Sequence, residues 1–239
     1  MSDQLPQTQD AVYVYESGNP LVTTCGDYGE SGLESGTLNF TPKPTVYSDA
    51  PATAEDIKAA YPEVAAVNGF AEKIVQVANE LGIADPGWLA NVIYFESGLT
   101  FDPSKTNRIG CVGLIQFCPG EDAGQAAVGK TGEELAAMGA VEQMDYVKLY
   151  LAQYYPRKVR GRSNTSADLY MAIYYPAAVG RGPSYSIYND YFRRKGASGA
   201  AKYLENNGGI KTASDYQMQC DRFTRMPTAY RNPDEVASL

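Results

Sequence analysis

The residue that points most directly to chemistry is Glu96, at the end of a predicted helix. Leu89, Val92 and Ile93 precede it at helical spacing, so the glutamate shares their apolar face. A carboxyl group on a buried face loses hydration, which raises its pKa unless a partner compensates. A carboxylic acid that stays protonated near neutral pH can act as a general acid. The periodicity leaves one alternative open, a partly exposed glutamate bonded to local backbone.

A glycine-initiated apolar segment with a single glutamine follows Glu96 after a short loop. Ser97 ends the predicted helix, and residues 113–119 read Gly-Leu-Ile-Gln-Phe-Cys-Pro. The glycine permits close backbone approach, and Gln116 can hold a polar ligand beside the acid. Each polar residue has a second interpretation: Ser97 can orient Glu96 or simply end the helix, and Gln116 can bind a ligand or its own backbone.

The composition narrows the chemistry further. The 239 residues include no histidine, which excludes Ser-His-Asp triads, Cys-His pairs and histidine-ligated zinc. A net charge of −8 argues against nucleic-acid binding. No segment approaches the roughly 18 apolar residues of a membrane span. The N-terminus lacks the basic and apolar regions of a secretory signal, so we expect synthesis in a cytoplasm.

The cysteines do not form a recognisable metal or redox motif. They stand at positions 25, 111, 118 and 220, none in a Cys-x-x-Cys pair, and four cysteines allow three disulfide pairings. Cys111 and Cys118 flank a short apolar run and could meet if it folds back. Without any sign of an oxidising compartment, the sequence favours buried free thiols. Residues 206–211 lack the acidic spacing of a calcium loop, so we expect no metal.

The chain divides near residue 52. Residues 1–52 are rich in Gly, Ser, Thr and Pro, with β-leaning pieces at 12–15 and 37–40, and they predict an extended arm. From residue 53 the apolar residues recur at helical spacing. We therefore predict a mainly α-helical domain over residues 53–239, behind an N-terminal anchor or linker.

Local signals place the individual helices. Capping boxes begin helices at Thr53 and Thr131, and Asp85 begins the helix over about 86–97 that carries Glu96. Trp88 on that helix is expected in the core. Apolar stripes predict further helices over 70–81, over about 144–154 with an end at Pro156, over 169–176, and from about 212 to 224.

The order of these features resembles the lytic transglycosylases of the lysozyme-like superfamily, especially phage-encoded members. Their pattern is a catalytic Glu-Ser at a helix end, then Gly-Leu-x-Gln-Phe and a proline, matched here by Glu96-Ser97 and residues 113–119. Residues 135–138, 142–147 and 169–180 look like later family segments, so the resemblance covers about residues 65–195. Pro103 departs from it, standing two positions later than the proline that often follows the family glutamate.

The resemblance implies a lysozyme-like fold and a peptidoglycan substrate. Glu96 would protonate the β-1,4 bond between N-acetylmuramic acid and N-acetylglucosamine, and the muramoyl 6-hydroxyl would then close a 1,6-anhydro ring. Ser97, Gln116 and Tyr174 would contact substrate, with Tyr174 favoured over its neighbour Tyr175. No metal or cofactor is implied. Asp102 and Asp122 are the nearest candidates for the second carboxylate of a hydrolase, and neither has a convincing spacing.

The setting follows from the same resemblance. We expect a component of a phage virion, in the tail or injection apparatus, that opens the cell wall during entry. The arm of residues 1–52 would bind other phage structural proteins. Two alternatives remain: a structural virion protein that has lost catalysis, and a hydrolysing muramidase or endolysin.

Overall fold

Helices account for almost all regular structure in the computed structural model, which describes residues 50–121, 123–159, 166–206 and 209–228. The helices are α1 (Ala54–Ala60), α2 (Pro62–Ala65), α3 (Phe70–Leu81), α4 (Pro86–Glu96), α5 (Gly124–Val128), α6 (Gly132–Ala136), α7 (Ala140–Val159), α8 (Ser166–Tyr174), α9 (Ile187–Asn206) and α10 (Ala213–Asp221), with a 3₁₀ turn at Pro176–Ala178. These ranges contain isolated β-bridges and no β-sheet. The predicted mainly α-helical class is confirmed for them.

Most predicted helix starts are confirmed by their caps. Thr53, Thr131 and Thr212 each form a capping box, and the Asp85 carboxylate accepts the N–H of Gly87. The last helix ends at Asp221, three residues before the expected limit. The body of the predicted arm, including its β-leaning pieces, lies outside the described residues.

The predicted helix end at Pro156 is wrong, because α7 continues to Val159. Proline removes one backbone hydrogen bond, but its φ angle is compatible with a helix. Leu151 and Tyr155 are fully buried in the same stretch. Their packing against the core holds the helix together where the local signal favours a stop.

Helix α4 occupies the centre of the domain. Every one of its residues is buried, Trp88 among them as expected, and the helix contacts α3, α8 and α10. A helix that is apolar around its whole circumference needs neighbours on all sides. Polar side chains on α4 therefore lie inside the core unless they stand at its ends.

Candidate functional site

Glu96 is the last residue of α4, and its side chain is only 3% exposed. The predicted burial of this carboxyl is confirmed. One carboxyl oxygen, Oε1, accepts a hydrogen bond of 2.9 Å from the hydroxyl of Tyr216 on α10. The Tyr216 ring is itself buried and meets Phe95 edge-on, which fixes the position of its hydroxyl.

The second carboxyl oxygen of Glu96, Oε2, is not held by the described protein residues. Oε2 takes no hydrogen bond from the residues that the structure describes, and it is not fully enclosed by protein. The small exposed fraction of Glu96 therefore includes this oxygen. One oxygen is held by the protein and the other is available to a ligand.

Burial raises the pKa of Glu96 to about 8, and the hydrogen bond from Tyr216 offsets only part of that rise. No charged group contributes to the shift. The cause is the one the helix periodicity predicts, loss of water around a carboxylate without a cation to replace it. At neutral pH the group is mostly the protonated acid.

Ser97 ends α4 and organises the turn that follows. Its Oγ donates to the carbonyl of Tyr94 at 3.3 Å and accepts the N–H of Phe101 at 2.8 Å. Phe101 has a positive φ of 58°, so this serine holds a turn that the backbone would not adopt readily. These contacts fit the helix-ending interpretation of Ser97, and none of them reaches Glu96.

Gln116 lies in a small turn built by two β-bridges. Val112 pairs with Thr106 on one side and with Phe117 on the other. Gln116 directly precedes Phe117 and has a φ angle of 55°, in the left-handed region. Its Nε2 donates to the carbonyls of Lys105 and Gly113, each at 3.1 Å. Gln116 makes no hydrogen bond to Glu96.

The orientation of the Gln116 amide leaves an acceptor unused. Oε1 has no hydrogen-bond partner among the described residues, and it is not fully enclosed. A ligand N–H or O–H can therefore bind it. The backbone-bonding interpretation of Gln116 is confirmed for its nitrogen, and ligand binding by its oxygen stays a prediction.

Gln143, which the sequence did not single out, supports the same turn from α7. Its Oε1 accepts the N–H of Leu114 at 2.7 Å, and its Nε2 donates to the carbonyls of Pro103 and Leu135. Gly113 has φ of 88°, and a Cβ there would overlap the Gln143 amide. The expected close approach at Gly113 is thus made by a protein side chain.

The expectation of free thiols is wrong for Cys111 and Cys118, which form a disulfide. The bridge between Val112 and Phe117 brings the two flanking cysteines opposite each other, as in a hairpin. The two cysteines flank a short apolar run, which allows this pairing when the run folds back. Cys220 is a buried thiol, as expected. Cys25 lies outside the described residues.

Tyr174 is connected to Glu96 through Tyr216. The two tyrosine rings stack with centroids 3.9 Å apart and planes 9° from parallel. The Tyr174 hydroxyl lies 2.9 Å from that of Tyr203 on α9. Tyr216, not Tyr174, bonds the acid, and it lies beyond the segment that carries the family resemblance. Its place as the fourth residue of a capped helix gives no local sign of this role.

A narrow cleft of about 40 Å³ opens beside Gln116. It is lined by Ile115, Gln116, Phe117, Cys118, Gly124, Tyr150 and Ile173, so it lies between the glutamine turn and α8. Glu96 is not part of this lining. The described residues contain no group of three or more side chains suited to metal binding. Among their helices, none has the length and apolar character to cross a membrane.

Comparisons with protein-family models, curated proteins and solved structures gave no match to this chain. The roles of Glu96, Ser97, Gln116 and Tyr174 thus rest on the sequence pattern and on the geometry of the site.

Proposed function

We propose that the chain is a lytic transglycosylase that cleaves the glycan strands of peptidoglycan, with Glu96 as its acid and base. The observation that carries the proposal is the buried carboxyl of Glu96, with one oxygen held by Tyr216 and the other open. The raised pKa keeps it protonated at neutral pH. The lysozyme-like form of the helical domain is part of the same proposal.

In the first step, Glu96 donates its proton to the glycosidic oxygen as the bond from the muramoyl C1 breaks. The leaving N-acetylglucosamine departs with a free 4-hydroxyl group. In the second step, the muramoyl 6-hydroxyl attacks C1 and gives its proton to the Glu96 carboxylate. The product carries a 1,6-anhydro ring, no water is consumed, and the acid is restored.

Gln116 supplies the polar contact in this mechanism. Its Oε1 can accept a hydrogen bond, and its Nε2 already donates to two backbone carbonyls. An acceptor of this kind suits the N–H of a sugar acetamido group. The adjacent cleft beside Ile173 and Tyr150 has room for a group the size of a methyl. Tyr174 would contribute by keeping the Tyr216 ring in place.

A mechanism with one carboxylate is supported by the surroundings of Glu96, because no charged group contributes to the shift of its pKa. Asp102 is exposed, and its Oδ1 already accepts both the N–H and the hydroxyl of Ser104. A hydrolase would need a second carboxylate at a defined distance from the acid to activate water. The bonds that Asp102 already makes favour the transglycosylase over the hydrolysing muramidase. The other candidate, Asp122, lies outside the described residues.

The biological setting is the less direct part of the proposal. The family resemblance supports a phage virion component acting at the bacterial cell wall, attached to other virion proteins through residues 1–52. Deletion of those residues tests the attachment. Loss of incorporation into particles, with glycan cleavage unchanged, supports an anchor, and normal incorporation contradicts it.

The test of the activity is digestion of purified peptidoglycan, with soluble products weighed by mass spectrometry. We expect 1,6-anhydromuramoyl ends from the wild type and none from Glu96→Gln. Glutamine keeps an oxygen that can accept the Tyr216 hydroxyl, so the variant retains the local geometry. Glu142→Gln, an exposed change on α7, is the matched control and should digest like the wild type.

The products also separate the alternatives. Ends heavier by one water identify a muramidase and redirect attention to a second carboxylate. No products from folded wild type, on walls of several types, favour the structural virion protein instead.

A further inference from the structure

Residues 111–118 form the turn that carries Gln116, and we call this turn the Gln116 loop. It is restrained by bonds within the loop and by bonds from residues outside it. Inside it, Val112 and Phe117 exchange backbone hydrogen bonds of 3.1 and 2.8 Å. Outside it, Gln125 donates to the carbonyls of Gly110 and Phe117, on both sides of the loop. The disulfide closes the loop at its two ends.

The conformation of the Gln116 loop needs this restraint. Both Gly113 and Gln116 have positive φ angles. This conformation is unfavourable for Gln116, because its Cβ lies too close to the backbone. The loop shape fixes the orientation of the Gln116 amide, because Nε2 is held by carbonyls within and next to the loop. Opening the loop would release the amide to rotate.

The two cysteines of the disulfide differ in burial. Cys111 is fully buried, but Cys118 is only half-buried and lines the cleft beside Gln116. Thiolate attack on a disulfide requires access to one sulfur along the bond axis. Cys118 is the half-buried partner of the bond, and it lines the same cleft as Gln116.

We propose that the Cys111–Cys118 disulfide is a redox-controlled staple that holds the Gln116 loop in its ligand-binding shape. A dithiol reductant opens it by exchange: the protein disulfide takes two electrons and two protons and becomes two thiols, and the reductant becomes a cyclic disulfide. Disulfides are opened in reducing cytosols and persist in oxidising surroundings. The loop is therefore flexible before the chain leaves a reducing compartment and rigid afterwards.

The consequence for glycan cleavage rests on the proposed function, whereas the consequence for the loop does not. Reduction leaves Glu96 and its bond to Tyr216 in place, because neither lies in the loop. It loosens the sugar contact of Gln116. We expect weaker substrate binding and slower cleavage from a reduced chain whose helices are unchanged.

Hydrogen exchange measures the staple directly. The full chain is compared before and after incubation with dithiothreitol, at the amides of Val112, Leu114 and Phe117. We expect exchange at these amides to rise at least tenfold on reduction, with the far-ultraviolet circular dichroism unchanged. The double variant Cys111→Ser/Cys118→Ser should exchange fast under both conditions. Cys220→Ser, which removes the buried thiol of α10, should respond like the wild type.

Glycan cleavage is measured on the same samples. We expect a loss of at least fivefold on reduction that reoxidation reverses, and no response in the double variant. Unchanged exchange at the three amides on reduction overturns the staple. Faster exchange with unchanged cleavage overturns its control of the site. If the oxidised chain cleaves no glycan, the proposed function fails, and the exchange data alone decide whether the staple exists.

Discussion

Helix α4 carries two buried polar side chains, Asn91 and Glu96, whose surroundings differ sharply. Asn91 has all its groups paired: Oδ1 accepts from the Tyr61 hydroxyl at 2.5 Å and from the N–H of Met226 at 3.0 Å, and Nδ2 donates to the Met226 carbonyl. Within the part of the chain that the structure describes, Glu96 accepts one hydrogen bond, from Tyr216. A satisfied buried group stabilises a fold, and a group left with an open oxygen lowers its stability.

The Asn91 region ties the end of the described chain to the helix. Arg225 donates its N–H to the Tyr61 hydroxyl, lies over the rings of Tyr61 and Tyr94, and pairs with Glu63. This network fixes the segment that follows α10. Asn91 therefore anchors α4. Glu96, at the end of the same helix, keeps a constant position although it is incompletely paired.

The largest effect should come from Glu96→Gln. We expect peptidoglycan cleavage to fall about 10³-fold, within the range that one acid–base group contributes. The free energy of unfolding at neutral pH should not fall, because glutamine is neutral in both states, whereas Glu96 must take up a proton on folding. Rates of glycan release and urea unfolding curves measure the two quantities. Retained cleavage in this variant would remove Glu96 from the mechanism.

Asn91→Leu should produce the opposite pattern. It leaves the Tyr61 hydroxyl and both backbone groups of Met226 without their partner inside the core. We expect a loss of about 3 kcal/mol in the free energy of unfolding. Cleavage per folded molecule should stay within about threefold of the wild type. Asn79→Leu, on the exposed face of α3, is the control and should change stability by less than about 0.5 kcal/mol. A severe loss of cleavage with normal stability would contradict the division of roles.

The raised pKa of Glu96 should also appear as pH-dependent stability. Between the unfolded value of 4.5 and the folded value of about 8, the folded chain holds a proton that the unfolded chain releases. This contribution is fully present below pH 4.5 and is lost as pH rises toward 8. We expect the unfolding free energy of the wild type, relative to Glu96→Gln, to fall by on the order of 3–4 kcal/mol from pH 5 to pH 8. A difference that is flat with pH would mean that Glu96 titrates normally.

Much of the fold was readable from local sequence. Capping at Thr53, Thr131 and Asp85, and the helical spacing of apolar residues, act within a few residues and therefore appear in the sequence. The burial of Glu96 followed from the same spacing. At Pro156 the local signal was overruled, because core packing around Tyr155 outweighed one missing hydrogen bond.

The site was only half predictable, because its partners come from distant parts of the chain. Tyr216 lies 120 residues from Glu96, and Gln143 lies 29 residues from Leu114. Each stands on a helix whose own pattern is ordinary, so only the packing of α10 and α7 identifies it. The Cys111–Cys118 bond depends on the turn between them and on redox conditions, and sequence spacing reports neither.

The smallest effect should come from Tyr216→Phe, which removes one hydroxyl and keeps the ring stacked on Tyr174. Because this hydrogen bond lowers the pKa of Glu96, its loss should raise that pKa further. The acid then stays protonated to higher pH, so the alkaline limb of the cleavage profile should move upward by less than about one unit. Cleavage at pH 6 should fall less than about tenfold, a cost of under 1.4 kcal/mol in the barrier.

The control is Tyr203→Phe, which removes a hydroxyl that bonds Tyr174 and not the acid. It should leave the alkaline limb of the profile unchanged. A downward move with Tyr216→Phe would mean that the hydroxyl stabilises the protonated acid rather than its anion, and the open oxygen of Glu96 would then need another explanation.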